Sequence, residues 1–181
     1  MLTLNLAKIR TAEESFEKTY APEAVTAEGD VFSVVAPAHL EFDIFKDKDQ
    51  FRLEGRVTST LELPCGRCLE AYCLPVDAVF DLRYQPRSTN TGEGEQSVEE
   101  DDLTTAFYEN EEIDLGLLMR EQFYLALPMK PLCRVDCKGL CPQCGTNLNC
   151  GTCGCSREWQ DPRLAALQAL KNDQHKGRQR H

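Results

Sequence analysis

Between Cys133 and Cys155 the chain places seven of its ten cysteines in a stretch with almost nothing else to fold around. Apart from the sulfurs, its large apolar residues are Val135, Leu140 and Leu148. Burying three such side chains contributes roughly 5–8 kcal/mol, whereas ordering the backbone of the segment costs about 20 kcal/mol or more. Cysteine-bound zinc supplies on the order of 10–16 kcal/mol of apparent binding energy, which closes most of that gap. The segment is therefore expected to be ordered by metal rather than by an apolar core of its own.

That reading depends on the thiols staying reduced. The first ten residues have no basic region followed by a long apolar core; Leu2, Leu4 and Leu6 alternate with polar neighbours, as in a first strand. No apolar run approaches the about 20 residues of a membrane span. The chain is thus expected in the cytoplasm, away from membranes, where clustered cysteines are metal ligands rather than five disulfides.

The strongest element is Cys141-Pro-Gln-Cys144-Gly. Two thiolates separated by two residues can reach one tetrahedral ion, and the glycine permits a turn that aims backbone N–H groups at sulfur. Cys153-Gly-Cys155 can complete a four-thiolate set, and Cys150-Gly-Thr-Cys153 is a rival second knuckle that spacing alone leaves open. Cys65-Gly-Arg-Cys68 has the same knuckle spacing and lacks two partners. Cys133 and Cys137 are left over from the first site, so Cys65, Cys68, Cys133 and Cys137 could close a second; the alternative is that Cys65 and Cys68 are small buried residues. One zinc ion is expected, or two if both sets close. Cys73, beside an alternating strand, reads as core.

Catalytic constellations are scarce. His39, His175 and His181 are isolated from any nucleophile, there is no phosphate-binding glycine loop, and a four-thiolate zinc keeps no open position. A non-enzymatic protein is expected. The competing enzyme reading is a thiol redox protein using Cys141 and Cys144, which would need the motif at the start of a helix in a βαβ unit. Gly145-Thr-Asn-Leu-Asn is a poor helix start.

The rest of the 181-residue chain, 41% hydrophobic and 28% charged, reads as globular. Val31-Phe-Ser-Val-Val is an apolar run. Leu40, Phe42 and Ile44 alternate with polar residues, Phe51 and Leu53 continue after a Lys-Asp-Lys-Asp turn, and Val57 to Leu63 and Leu74 to Leu82 form further period-two strands. Leu115, Leu118, Met119, Gln122, Leu125 and Ala126 define a helical stripe behind an Asp114 cap, stopped by Pro128. Together these patterns predict an α+β chain. Residues 1–131 form an antiparallel β-rich domain, a meander or a partly closed barrel, with a mobile acidic loop over 87–104 and a packed helix over 113–127. Residues 132–171 form the zinc segment with a short helix over 156–171, and residues 172–181 a flexible basic tail.

The formal charge is −10, and nine acidic residues with no Lys or Arg lie between Ser88 and Glu112. This opposes a generally basic nucleic-acid surface. Direct RNA binding would fall to Lys171, Lys176, Arg178 and Arg180.

Several of these pieces recur together in one family. Cys65-Gly-Arg-Cys68-Leu-Glu follows a strand, and Glu112-Ile-Asp-Leu precedes a helix ending in Ala126-Leu-Pro-Met-Lys-Pro131. Asp136-Cys-Lys-Gly-Leu-Cys-Pro-Gln-Cys-Gly-Thr-Asn-Leu-Asn149 and Asp161-Pro-Arg-Leu-Ala-Ala-Leu167 come next. In this order, over roughly residues 57 to 170, the chain resembles the YceD family of large ribosomal RNA subunit accumulation proteins; before Val57 the likeness is the β-rich character. The resemblance implies a role in large-subunit ribosomal RNA maturation or accumulation, that is, in ribosome biogenesis, and no enzymatic activity. It favours Cys153 and Cys155 over Cys150 beside Cys141 and Cys144. It also supports the second set, because shorter members resemble this chain at Cys65, Cys68, Cys133 and Cys137, with His sometimes at the last two. With the acidic charge, it suggests a partner in a ribosomal precursor, either a basic ribosomal protein or an assembly factor drawn to the acidic loop, with contact to ribosomal RNA indirect.

Overall fold

The computed structural model describes residues 2–86 and 105–155. The expected loop over 87–104, the helix over 156–171 and the tail 172–181 lie outside the described residues. The chain divides into two compact units, Met1–Cys137 and Lys138–His181.

The first unit is β-rich. β1 (Thr3–Asn5) is followed by a 3-10 turn, Leu6–Lys8, then β2 (Glu13–Tyr20), a one-turn helix α1 (Pro22–Val25), β3 (Ser33–Val34), β4 (Ala38–Asp47), β5 (Gln50–Pro64), β6 (Ala71–Pro86), β7 (Thr105–Tyr108), β8 (Glu112–Asp114) and α2 (Leu115–Ala126). The main sheet runs β2-β4-β5-β6-β7, with β3 added to β5; β1 pairs with β8 in a separate two-stranded ribbon. β4, β5 and β6 form the expected antiparallel meander. β7 joins β6 in parallel, a departure from the all-antiparallel expectation. Among the described residues no pairing joins edge strands β2 and β7.

Alternation places one face of the sheet in the core. Leu40, Phe42 and Ile44 of β4, Leu53, Val57 and Leu61 of β5, and Val76 and Phe80 of β6 are buried together. Leu115, Leu118, Met119 and Phe123 of α2 join the same core. Asp114 caps this helix, its Oδ1 accepting from the backbone N–H of Gly116 and Leu117 at 2.8 and 3.0 Å.

Three details differ from the sequence expectation. Leu125 and Ala126, assigned to the buried stripe, are exposed, Leu125 to 78%, and Phe123, the i+8 position from Leu115, is buried instead. Val31 and Val35 are exposed, because only alternate residues of that run, Phe32 and Val34, face inward. Cys73 is exposed rather than core, since it lies on the outward phase of β6, opposite to Leu74 and Val76.

Candidate metal centres

β5 and β6 are the longest strands, paired from Phe51↔Tyr84 to Pro64↔Ala71. Cys65-Gly-Arg-Cys68 is the loop at the tip of this hairpin. The loop is closed by Cys65 N–H donating to Glu70 O at 2.9 Å and Leu69 N–H donating to Cys65 O at 2.9 Å. After α2 the chain returns to this tip. Gly66 N–H donates to Pro131 O at 2.7 Å, and a Cβ at Gly66 would stand 3.2 Å from that same oxygen, so a larger residue would have to push the Pro131 carbonyl back by a few tenths of an ångström. Arg67 Nη1 donates to Cys137 O at 2.8 Å.

This return brings four sulfurs together. Cys65 Sγ lies 3.8 Å from Cys137 Sγ, and Cys68 Sγ lies 3.7 Å from Cys133 Sγ. All four lie within 4.8 Å of one another. Cys65, Cys68 and Cys137 are buried, with Tyr72 and Leu132 packed on them. Cys133 and Cys137 thus belong to the first unit, where sequence reading places the boundary at 131; the hydrogen bonds to Gly66 and Arg67 are the reason.

The second group is local. Cys141 N–H donates to Thr146 O at 2.8 Å, Gly145 N–H donates to Cys141 O at 2.9 Å, and Gly145 has φ 72°, the left-handed conformation the turn demands. Leu140 bridges Asn147 in antiparallel fashion. Cys141, Cys144, Cys153 and Cys155 again have all sulfurs within 4.8 Å. Cys150 is exposed and outside this set. No role for Asn147 and Asn149 was read from sequence. Asn149 Oδ1 accepts from Lys138 N–H at 2.8 Å, and Asn147 Oδ1 accepts from Asn149 N–H at 2.9 Å, fixing the loop that leads to Cys150. An Asn-x-Asn pair between two cysteine knuckles is the signal that could have revealed them.

The electrostatics of both groups call for a cation. Backbone N–H groups of Cys133 and Cys68 reach the Cys65 sulfur and lower its pKa to about 6. Burial, followed by the thiols of Cys65, Cys68 and Cys137, pushes Cys133 up to about 12. In the second group the Thr146 hydroxyl, then its backbone N–H, lowers Cys144 to about 6. The Cys144 sulfur, then burial, pushes Cys155 up to about 12. Each group sets thiols that lose their proton easily beside thiols that hold it, and a shared positive ion would favour the thiolate form of the latter.

The donor geometry fits a tetrahedral ion. Four sulfurs about 2.3 Å from such an ion stand about 3.8 Å apart, which the 3.7 and 3.8 Å pairs match. A disulfide would need sulfurs about 2.05 Å apart, and none of the ten cysteines forms one. Cys141 and Cys144 lie in a hairpin turn, not at the start of a helix, so the context for a thioredoxin-like motif is missing among the described residues.

A meander of long strands covered by one helix, with all-cysteine groups of four at the hairpin tip and in the following unit, defines a small β-rich protein with two candidate metal centres. The family model of the large ribosomal RNA subunit accumulation protein YceD matches residues 53–171, and the chain belongs to that family. The match spans β5 through α2 and both cysteine groups. The chain is similar to the chloroplastic large ribosomal RNA subunit accumulation protein YCED homolog 1 of Arabidopsis thaliana, 28% identical over 156 residues, 75% of this chain and 49% of that protein. The Zea mays protein of the same description is 27% identical over 142 residues, 66% of this chain and 48% of that one. An uncharacterized protein of Mycobacterium bovis is 37% identical over 116 residues, 61% and 53% of the two chains. This chain spans about half the length of these relatives. No solved structure matches it. Among the described residues no helix is long and apolar enough to cross a membrane.

Proposed function

We propose that this protein is a non-enzymatic, cytoplasmic factor in the accumulation of large-subunit ribosomal RNA, held in shape by two structural zinc ions. Family membership supports the ribosomal role. The observation that carries the zinc assignment is the pair of four-sulfur groups, each with every sulfur within 4.8 Å of the others. Soft all-thiolate donors in tetrahedral array select zinc over magnesium or calcium. Cys65, Cys68, Cys133 and Cys137 would hold one ion, and Cys141, Cys144, Cys153 and Cys155 the other. Bound there, zinc supplies cross-linking of the backbone and no open position for substrate. The strongly negative chain is poorly suited to phosphate contacts, which require clustered Lys and Arg. It works through a protein partner in a ribosomal precursor.

The test is depletion of the protein with measurement of the ratio of large- to small-subunit ribosomal RNA. The ratio is expected to fall, and to be restored by the wild-type chain but not by C65S/C68S or C141S/C144S. An unchanged ratio on depletion overturns the role. Metal analysis of the purified, reduced protein separates this reading from a redox one, which requires none.

A further inference from the structure

β7, the turn after it and the first turns of α2 enclose a groove of about 860 Å³ that the metal centres do not touch. Its shape follows from a tight turn. Asn110 and Glu111 are both left-handed, with φ 55° and 56°, and Glu112 N–H donates to Glu109 O at 3.1 Å. That reversal sets β8 and the start of α2 beside β7. Tyr84, Ile113 and Leu118 form the buried floor. Phe107 of β7 and Leu117 of α2, 46% and 49% exposed, both line it.

The charged side chains that line the groove are all acidic, Glu112, Asp114 and Glu121 among them. Burial first, and then the Glu121 and Asp114 carboxylates, push the Tyr84 phenol up, which registers the negative field at the floor. The N-terminus of α2, a position that ordinarily attracts an anion, is already taken by the Asp114 carboxylate. Glu109, at the start of the turn, is the fourth carboxylate along this groove.

We propose that this groove docks a cationic amphipathic segment of a partner protein, with an apolar side chain seated against Phe107 and Leu117 and Lys or Arg facing Glu112 and Glu121. A groove that exposes two large apolar side chains among carboxylates repels a nucleic-acid phosphate and complements a basic, partly apolar peptide. The inference rests on the proposal above that the protein works through a protein partner, and it names the surface and its chemistry.

The test uses the full chain and a short fluorescent peptide with leucines at helical i, i+3, i+4 spacing and lysines elsewhere. Two control peptides carry serine for leucine or glutamate for lysine. Anisotropy gives the affinity, and amide chemical shifts give the place. The Lys/Leu peptide is expected to shift the amides of residues 105–108 and 112–121 and to bind best of the three. E112K/E121K, which alters exposed positions, is expected to weaken it about tenfold, and L117S to weaken it independently of salt. Equal binding of the serine peptide, indifference to both variants, or shifts confined to other residues would overturn the proposal. So would displacement of the peptide by oligouridine, or tighter binding after truncation at Lys171, which would make RNA or the chain's own basic tail the occupant. Because peptide binding is read without ribosomes, a failure here is distinct from an unchanged ribosomal RNA ratio on depletion.

Discussion

Gly55 admits no side chain. It faces Phe42 of β4 and Phe80 of β6 in register, and a Cβ there would collide with the Glu41 carbonyl and the Phe42 side chain. The neighbouring Phe16 stacks on Phe42, ring centres 5.2 Å apart. Gly55→Ala is expected to cost about 3 kcal/mol, read as a lower urea midpoint with unchanged slope. Glu111 is the converse case: a non-glycine residue at φ 56°. Glu111→Gly should stabilise the chain by about 1 kcal/mol, measured the same way; no gain would mean that the Glu111 side chain compensates for its backbone. At this scale the knuckle pairs were legible, because Cys-x-x-Cys spacing is a local statement about reach. The grouping of Cys65 and Cys68 with Cys133 and Cys137 depends on Pro131 and Arg67 contacts between residues about seventy positions apart, which spacing suggests only by elimination. The phase of Cys73 was legible: Leu74, Val76, Ala78, Phe80 and Leu82 mark the inward half of β6, and position 73 falls on the other half, so reading it as core overlooked the period.

Among the elements, α2 is fastened at both its cap and its side. Asp30, just before β3, has a side chain 3% exposed, and its Oδ1 receives Arg120 Nη2 at 3.1 Å and the Tyr124 hydroxyl at 2.8 Å. Burial alone would raise the Asp30 pKa. The Ala27 N–H, the Tyr124 hydroxyl and Arg120 outweigh it and hold the carboxyl below its ordinary 3.8. A lowered carboxyl pKa contributes stability that is full above about 3.8 and is lost as the pH falls through the lower folded value. Asp30→Asn is therefore expected to cost about 1–3 kcal/mol at neutral pH and to flatten the loss of stability in acid; urea unfolding at neutral and acid pH checks both. The main strands and the existence of α2 were visible in the sequence because their apolar periods are long and regular. β2 and β7 were not. Glu13–Tyr20 carries Phe16 and Tyr20 as its large apolar residues, and the four residues of β7 are too short for a period. Both are edge strands, which need no second buried face.

For the whole molecule, the two-unit division gives the zinc proposal a specific form. Native mass spectrometry is expected to find two zinc ions per chain, one after C65S/C68S and one after C141S/C144S. The first variant should raise hydrogen exchange around 65–72 and 129–137, the second around 138–155, each largely sparing the other unit. Identical exchange in wild type and variants would contradict a structural role for the metal. Thiols held near 12 without metal, Cys133 and Cys155, must lose protons when it binds. Zinc uptake in weak buffer should therefore release acid, and affinity should fall as the pH is lowered.

The long β5–β6 hairpin also sets a clock. Its tip offers Cys65 and Cys68, but their partners come 65 and 72 residues later, whereas the Cys141 to Cys155 set is contained in one short stretch. At about 5–20 residues per second of synthesis, roughly 3–14 s separate Cys68 from Cys137. For that interval the nascent chain carries a half-built claw that neither grips an ion firmly nor hides its sulfur, so the supply of metal and the redox state around the translating ribosome bear on the fate of the first unit before its helix is made.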